Sequence, residues 1–281
     1  MLPVAIQRGI EFDTALALAR ELDVVPASPI IAEAWPWQVK IYTLGRFELI
    51  IDGEPAVFGR KVPKRPLALL QAIVAFGSCA VPEERLMDAL WPDEDGDAAH
   101  RAFNTTLYRL RKLLRHGGLV VQSGGRVTLD AGRCWVDAIV FERALQEGLP
   151  STQAEAVVAL YRGAFLENET GGSWIASTRE RLRRKFVQAV RCLAQEAEEG
   201  GRLDEAIAWY TRGLEADYLV EAFYQGLMRC HARMAHSAEV TDVYRRMRSA
   251  LSLSLGVHPS ALSERLYRQS LMTAAQQPGR P

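Results

Sequence analysis

The chain has 281 residues, of which 48% are apolar and 24% charged, with 34 Lys or Arg against 34 Asp or Glu. These are globular values with room for about two domains, and a net charge of zero gives the whole chain no pull on a polyanion. No apolar run is long enough to span a membrane, and Cys79, Cys134, Cys192 and Cys230 lie far apart with no CxxC pair, which fits a reduced, cytoplasmic setting.

Residues 1–37 form a preface. Phe12 to Leu22 has helical periodicity, with Phe12, Ala15, Leu16 and Ala19 on one side. The prolines of VVPASPIIAEAWPW then break it. A lone amphipathic helix cannot bury its own face, so it is expected to dock on a later domain or to end a domain that precedes this one. The opening MLPVAIQRGIEF lacks the charged start and continuous apolar core of a signal peptide.

Lys40 to Phe58 is rich in β-branched and aromatic residues, with Gly45 and Asp52-Gly53 as turn signals, and predicts a small antiparallel sheet. Arg65–Gly77 predicts a helix stopped by Gly77, and Pro82–Pro92 a short one with proline at both ends. PDEDGD is a loop, with Asp97 a natural N-cap for the next helix.

That next helix, Ala98–Leu114, carries the chemistry. Phe103, Leu107, Leu110 and Leu114 make one buried stripe. The opposite face holds Arg101, Thr105, Tyr108, Arg109 and Lys112, and no acid occurs from Ala98 to Leu114. From Ala98 to Arg133 there are seven Arg or Lys residues and one acid, Asp130, so the balanced total hides a basic segment. GLVVQSGGRVTLD then reads as a hairpin around Gly124-Gly125, and Cys134–Ala138 as a further strand.

From Val140 the chain reads as wholly helical, in segments near 140–147, 152–164, 174–199, 203–215, 220–234, 238–254 and 260–272. Leu193 and Leu227, Glu205 and Glu239, and Tyr210 and Tyr244 each lie 34 residues apart, the period of a tetratricopeptide helix pair. The last residues, 274–281, read as a disordered tail.

The predicted fold class is therefore mainly α with a small β component: a preface at 1–37, a winged helix-turn-helix at 38–138, and an all-α helical repeat domain at 139–273. A major groove about 12 Å wide admits one helix, and arginine pairs with phosphates and guanine edges alike. This places Ala98–Leu114 in duplex DNA, with Ser123 to Arg126 as the wing tip. Arg109, Arg101 and Thr105 are expected to read bases, and Tyr108, Lys112 and Arg126 to hold the backbone.

In chain order, LGRFEL, LLQAIVA, ERLMDALWPDEDGDAAHRAFNTTLYRLRKLL, the wing, LYRGAFL, SWIASTRERLRRKF, GGRLDEAIAWYTRGLEAD and YRRMRSALSLSLGVHPS resemble the SARP-type bacterial activators. Those join an OmpR-like winged helix to a bacterial transcriptional activator domain of tetratricopeptide-like helices. The likeness covers roughly residues 39 to 272. It implies promoter binding, head-to-tail pairing as a homodimer on direct repeats, and contact with RNA polymerase. It implies that Arg109 faces bases and Arg111 phosphate. His100 and Asn104 sit where the family varies, and Asn104 is taken as a further DNA contact. The loop before the recognition helix, Trp91 to Asp97, stands where OmpR-like proteins contact polymerase, making Trp91, Asp93, Glu94 and Asp95 the candidates. Some large relatives carry this pair of domains behind an ATPase and a helical sensor, and the preface resembles the last helix of such a region. No GxxxxGK[ST] phosphate loop occurs here.

Blander readings compete. The acids of the loop also suit helix-dipole compensation. His231 and His236 lack further ligands at metal spacing, and the basic residues of Arg179–Phe186 spread around their helix, as on a solvated face. No catalytic constellation is visible, so neither an enzyme nor a cofactor is expected. The rival function is a protein-binding scaffold whose winged helix reads no DNA; a scaffold gives no reason to exclude acid from the front of Ala98–Leu114.

Overall fold

The computed structural model describes residues 37–58, 62–146 and 151–276, together with Thr14, Leu18, Glu33 and Trp35. The expected helix at Phe12–Leu22 and the tail beyond 276 lie outside the described residues. The chain forms two compact units, one of residues 1–148 and 159–182 and one of residues 149–158 and 183–281.

The first unit opens on β1 (Val39–Tyr42), β2 (Glu48–Ile51) and β3 (Glu54–Pro55), antiparallel in turn as the sequence predicts. The strand expected near Cys134 exists as β7 (Cys134–Val136), which joins this sheet parallel to β1 to give the order β3-β2-β1-β7. Val39, Ile41 and Trp135 are fully or nearly fully buried where the two strands meet.

Three helices follow. α1 (Lys64–Ala75) is buried along almost its whole length, from Pro66 to Ala75, so it is the helix around which the domain packs. It ends where Gly77 takes a φ of 103°, a left-handed turn that costs glycine nothing. α2 (Glu83–Leu90) and α3 (Gly96–Leu114) pack against it and against each other. The hairpin forms as β5 (Val120–Ser123) and β6 (Arg126–Leu129), with Gly124 and Gly125 both at positive φ, the requirement of a two-residue turn. β4 (Val81–Pro82), which precedes α2, adds a third strand to β6 and widens the wing into a sheet of order β4-β6-β5.

α4 (Asp137–Gln146) starts directly from β7. Asp137, at its first position, is 2% exposed. Its carboxylate accepts from the Thr43 and Leu44 amides at 2.8–2.9 Å, the Thr43 hydroxyl at 2.7 Å and the Ala138 amide at 2.7 Å. One buried side chain thus fastens the end of β1 to the start of α4.

The first unit does not stop at residue 138. α5 (Ser151–Ala159) is shorter than the helix expected over 152–164. The chain leaves it to bridge Phe165 to Leu44, with the Gly45 amide donating to Ala164 and the Leu166 amide to Thr43. Phe165 and Leu166 are buried there, so their apolar character serves the sheet rather than a helix face. α6 (Ser173–Glu199) begins in this unit, where Arg181 makes a two-pronged ion pair with Glu142 at 2.7 and 2.8 Å.

The second unit is helical. α7 (Leu203–Ala216), α8 (Glu221–Arg233), α9 (Ser237–Leu255) and α10 (Ala261–Gln276) pack with α8 at the centre, touching α7, α9 and α10. α7 and α9 start 34 residues apart, at 203 and 237, matching the sequence repeat. The aligned tyrosines differ, however. Tyr210 is buried on Gly226, where a β-carbon would sit only 2.2–2.5 Å from its ring. Tyr244 instead stacks on Tyr267 with ring centres 4.0 Å apart. Tyr210 donates to Glu198 at 2.7 Å, and Arg229 grips the same carboxylate with two bonds of 2.8 Å. Burial pushes the Glu198 carboxyl up, but those bonds and the Arg229 charge outweigh it and hold it low.

His231 and His236 stand with ring centres 6.0 Å apart, and burial lowers His231. Among the described residues no group of His, Cys, Asp or Glu is arranged to hold a metal, and no helix is long and apolar enough to cross a membrane.

Candidate nucleic-acid interface

α3 divides as its sequence dictates. Ala99, Phe103, Thr106, Leu107, Leu110 and Leu114 face the core. His100, Arg101, Asn104, Thr105, Tyr108, Arg109 and Lys112 are exposed. Arg101, Tyr108 and Lys112 form the row farthest from the buried stripe, with Thr105 and Arg109 beside it, counting ~100° per residue. Tyr108 is 65% exposed, an unusual state for a tyrosine with no partner to cover it. Among the described residues, Arg101, Arg109 and Lys112 make no ion pair or side-chain hydrogen bond, so their charges remain available.

The helix starts two residues earlier than expected. Asp95, not Asp97, is the N-cap; its carboxylate accepts from the Ala98 amide at 2.7 Å. Gly96 and Asp97 fall inside the first turn, where Asp97 complements the positive helix end. Arg115 caps the other end in the left-handed region, φ 62°.

Trp91 is not a surface residue. It is 7% exposed, its ring set edge-on to Phe103 at 6.5 Å under the Arg65 guanidinium. An indole at the end of α2 supplies apolar area to the core, which removes it from the candidate partner contacts. Asp93 and Glu94 are exposed, and Asp95 is exposed while it caps α3.

Two of the expected DNA-facing arginines are partly engaged inside the domain. Arg111 is half-buried and donates through Nε to the Val120 carbonyl at 3.0 Å, tying α3 to the wing. Arg126 remains exposed at the wing tip, but one Nη donates to the Ala80 carbonyl at 2.9 Å. The wing is also held to α2: the Glu83 amide donates to Gly125 at 3.0 Å, and Gln122 donates to the Glu83 carboxylate at 2.9 Å. Neither brace was visible in the sequence, since each joins residues about forty positions apart.

The arrangement is thus an exposed basic and hydroxyl-bearing helix face beside a braced hairpin with a small, exposed tip. With the helical unit that follows, the chain joins two modules, a winged helix domain and a helical one. Residues 136–271 match the family described as bacterial transcriptional activator domain. The chain is 29% identical over 218 residues to the regulatory protein AfsR of Streptomyces coelicolor, a match covering 74% of this chain and 22% of that protein. It is 25% identical over 249 residues to the transcriptional regulatory protein MoaR1 of Mycobacterium tuberculosis, covering 83% of this chain and 79% of that one. Its fold is similar to that of Mycobacterium tuberculosis EmbR, solved in complex with a low affinity phosphopeptide, with a TM-score of 0.61 and 20% identity over 86% of this chain and 70% of that chain. Residues 136–271 are thus similar to a bacterial transcriptional activator domain, and the chain as a whole is similar to bacterial transcriptional regulators.

Proposed function

We propose that this chain regulates transcription by binding duplex DNA in a sequence-selective way, with α3 in the major groove. The observation that carries the reading is the outer face of α3: cations and hydroxyls with no partner among the described residues, and no acid after Asp97. Such a face is costly to keep on a protein-binding surface, because like charges repel and nothing on the helix offsets them. Opposite two rows of phosphates it is complementary.

On this reading Arg109, Arg101 and Thr105 meet base edges. Tyr108 and Lys112 hold the backbone, Arg126 reaches it from the wing, and Arg111 lends it only what its bond to Val120 leaves. The Asp93–Glu94 loop is repelled by phosphate, so it points away from the duplex and is the segment to meet RNA polymerase. One module binds weakly, so two copies on direct repeats would supply the specificity.

The test is selection of the full chain on a randomised duplex pool at two salt concentrations. Enriched, spaced direct repeats with affinity falling steeply in salt are expected, each phosphate contact adding about 0.9 to the logarithmic slope. Absence of binding at low salt would refute the reading and favour the scaffold.

A further inference from the structure

We propose that His100 and Asn104 act as one base-reading unit, in which His100 is a positioning residue that fixes the Asn104 carboxamide toward an adenine. The inference rests on the placement of α3 in the groove. It adds a residue, His100, to which nothing above assigns a role.

The two side chains stand one helical turn apart and both are exposed. Asn104 Nδ2 lies 3.0 Å from His100 Nδ1. An amide nitrogen can only donate, so with the carboxamide in this orientation Nδ1 is the acceptor. The bond therefore decides which way the amide faces. One N–H is spent on the imidazole. The other N–H and the Oδ1 acceptor remain side by side, which is the pattern that matches the N7 acceptor and N6 donor of adenine in the major groove.

An asparagine without such a partner turns freely about its last bond and presents donor and acceptor in either order. Holding one order in advance removes that freedom before binding and penalises the reversed pattern. The wheel supports the division of labour. Asn104 adjoins the Arg101–Tyr108 row, three residues from one and four from the other. His100 sits back at the edge of the buried stripe, where it grips the amide without filling the groove-facing row.

The experiment uses the full chain and the best duplex from the pool selection, with every base pair substituted in turn. For the wild-type chain an adenine preference of about ten-fold or more is expected at one position of each half-site. Asn104→Ala should abolish that preference and leave the salt slope unchanged. His100→Ala should weaken it several-fold at the same base pair, and His100→Asn, whose amide oxygen takes the place of Nδ1, should restore it. If His100→Ala leaves discrimination unchanged everywhere while Arg109→Ala still relaxes its own position, the pair is only a helix-surface contact and the proposal fails alone. If neither variant changes any preference because the wild type shows none, the placement of α3 fails and takes the proposal with it.

Discussion

Asp137 offers the sharpest test of how the winged domain is held together. Replacing it by alanine strands the amides of Thr43 and Leu44, both of which point at the vanished carboxylate from the end of β1. The Thr43 hydroxyl can rotate away, and the Ala138 amide lies in the first turn of α4, so two buried donors are the minimum loss. At about 1–3 kcal/mol each, the variant should lose about 2–6 kcal/mol. Asparagine should lose less, since its one oxygen still accepts while its amide nitrogen faces N–H groups. The pH dependence has a definite sign. Burial lifts the Asp137 carboxyl from its ordinary 3.8 to about 6, although the bonds from Leu44, Thr43 and Ala138 pull the other way. A raised folded value favours the protonated form, so this contribution to stability is full below the ordinary value and is lost as pH climbs through about 6. A shift of roughly two units corresponds to about 3 kcal/mol. Urea unfolding followed by tryptophan fluorescence, run from pH 4 to pH 7, should show Asp137→Asn losing its disadvantage against the wild type as pH rises. Parallel curves at a constant small gap would refute both the burial and the bonding.

Three further outcomes follow from contacts described above. Arg109→Ala should cost about 1–3 kcal/mol at one base position in a binding titration, whereas Lys112→Ala should weaken all sequences alike and flatten the salt slope by about one. Gly226→Ala pushes a methyl group into the Tyr210 ring, which cannot yield while Glu198 holds its hydroxyl; thermal unfolding should report a loss of about 1–3 kcal/mol. Glu198→Ala frees both Arg229 and the Tyr210 hydroxyl at once. If the double variant with Arg229→Met is no less stable than Glu198→Ala alone, the stranded guanidinium is the main cost, as expected for a half-buried ion pair.

The stripe and face of α3 were legible because a 3.6-residue period survives any tertiary context. The wing tip was legible because Gly124-Gly125 suits little else. What the sequence concealed depends on distant partners. β7 became a strand of the first sheet only through pairing with β1, 95 residues earlier at Val39↔Cys134. β4 has two residues, too few to carry an alternation. The helix expected to run to residue 164 stops at Ala159, and Tyr161 and Phe165 beyond it are buried in the first unit. Trp91 reads as a contact candidate because an acidic loop begins two residues after it, while its neighbours in space are Phe103 and Arg65. Of the basic residues on the candidate interface, only those engaged by carbonyls, Arg111 and Arg126, escaped a reading by composition, since a carbonyl leaves no mark on a charge count.

The bracing of the wing has a consequence for what kind of information this domain can extract from a duplex. β6 is hydrogen-bonded on both edges, the turn is anchored to the start of α2 through Glu83, and α3 grips β5 through Arg111. The separation between helix and tip is therefore set by the protein before any partner arrives. On the DNA reading such a fixed gap behaves as a calliper. A duplex whose local groove widths already match it binds without strain, and one that does not must deform, at a cost set by the stiffness of its base steps. Flanking sequence that the protein never touches would then enter the affinity through its mechanics.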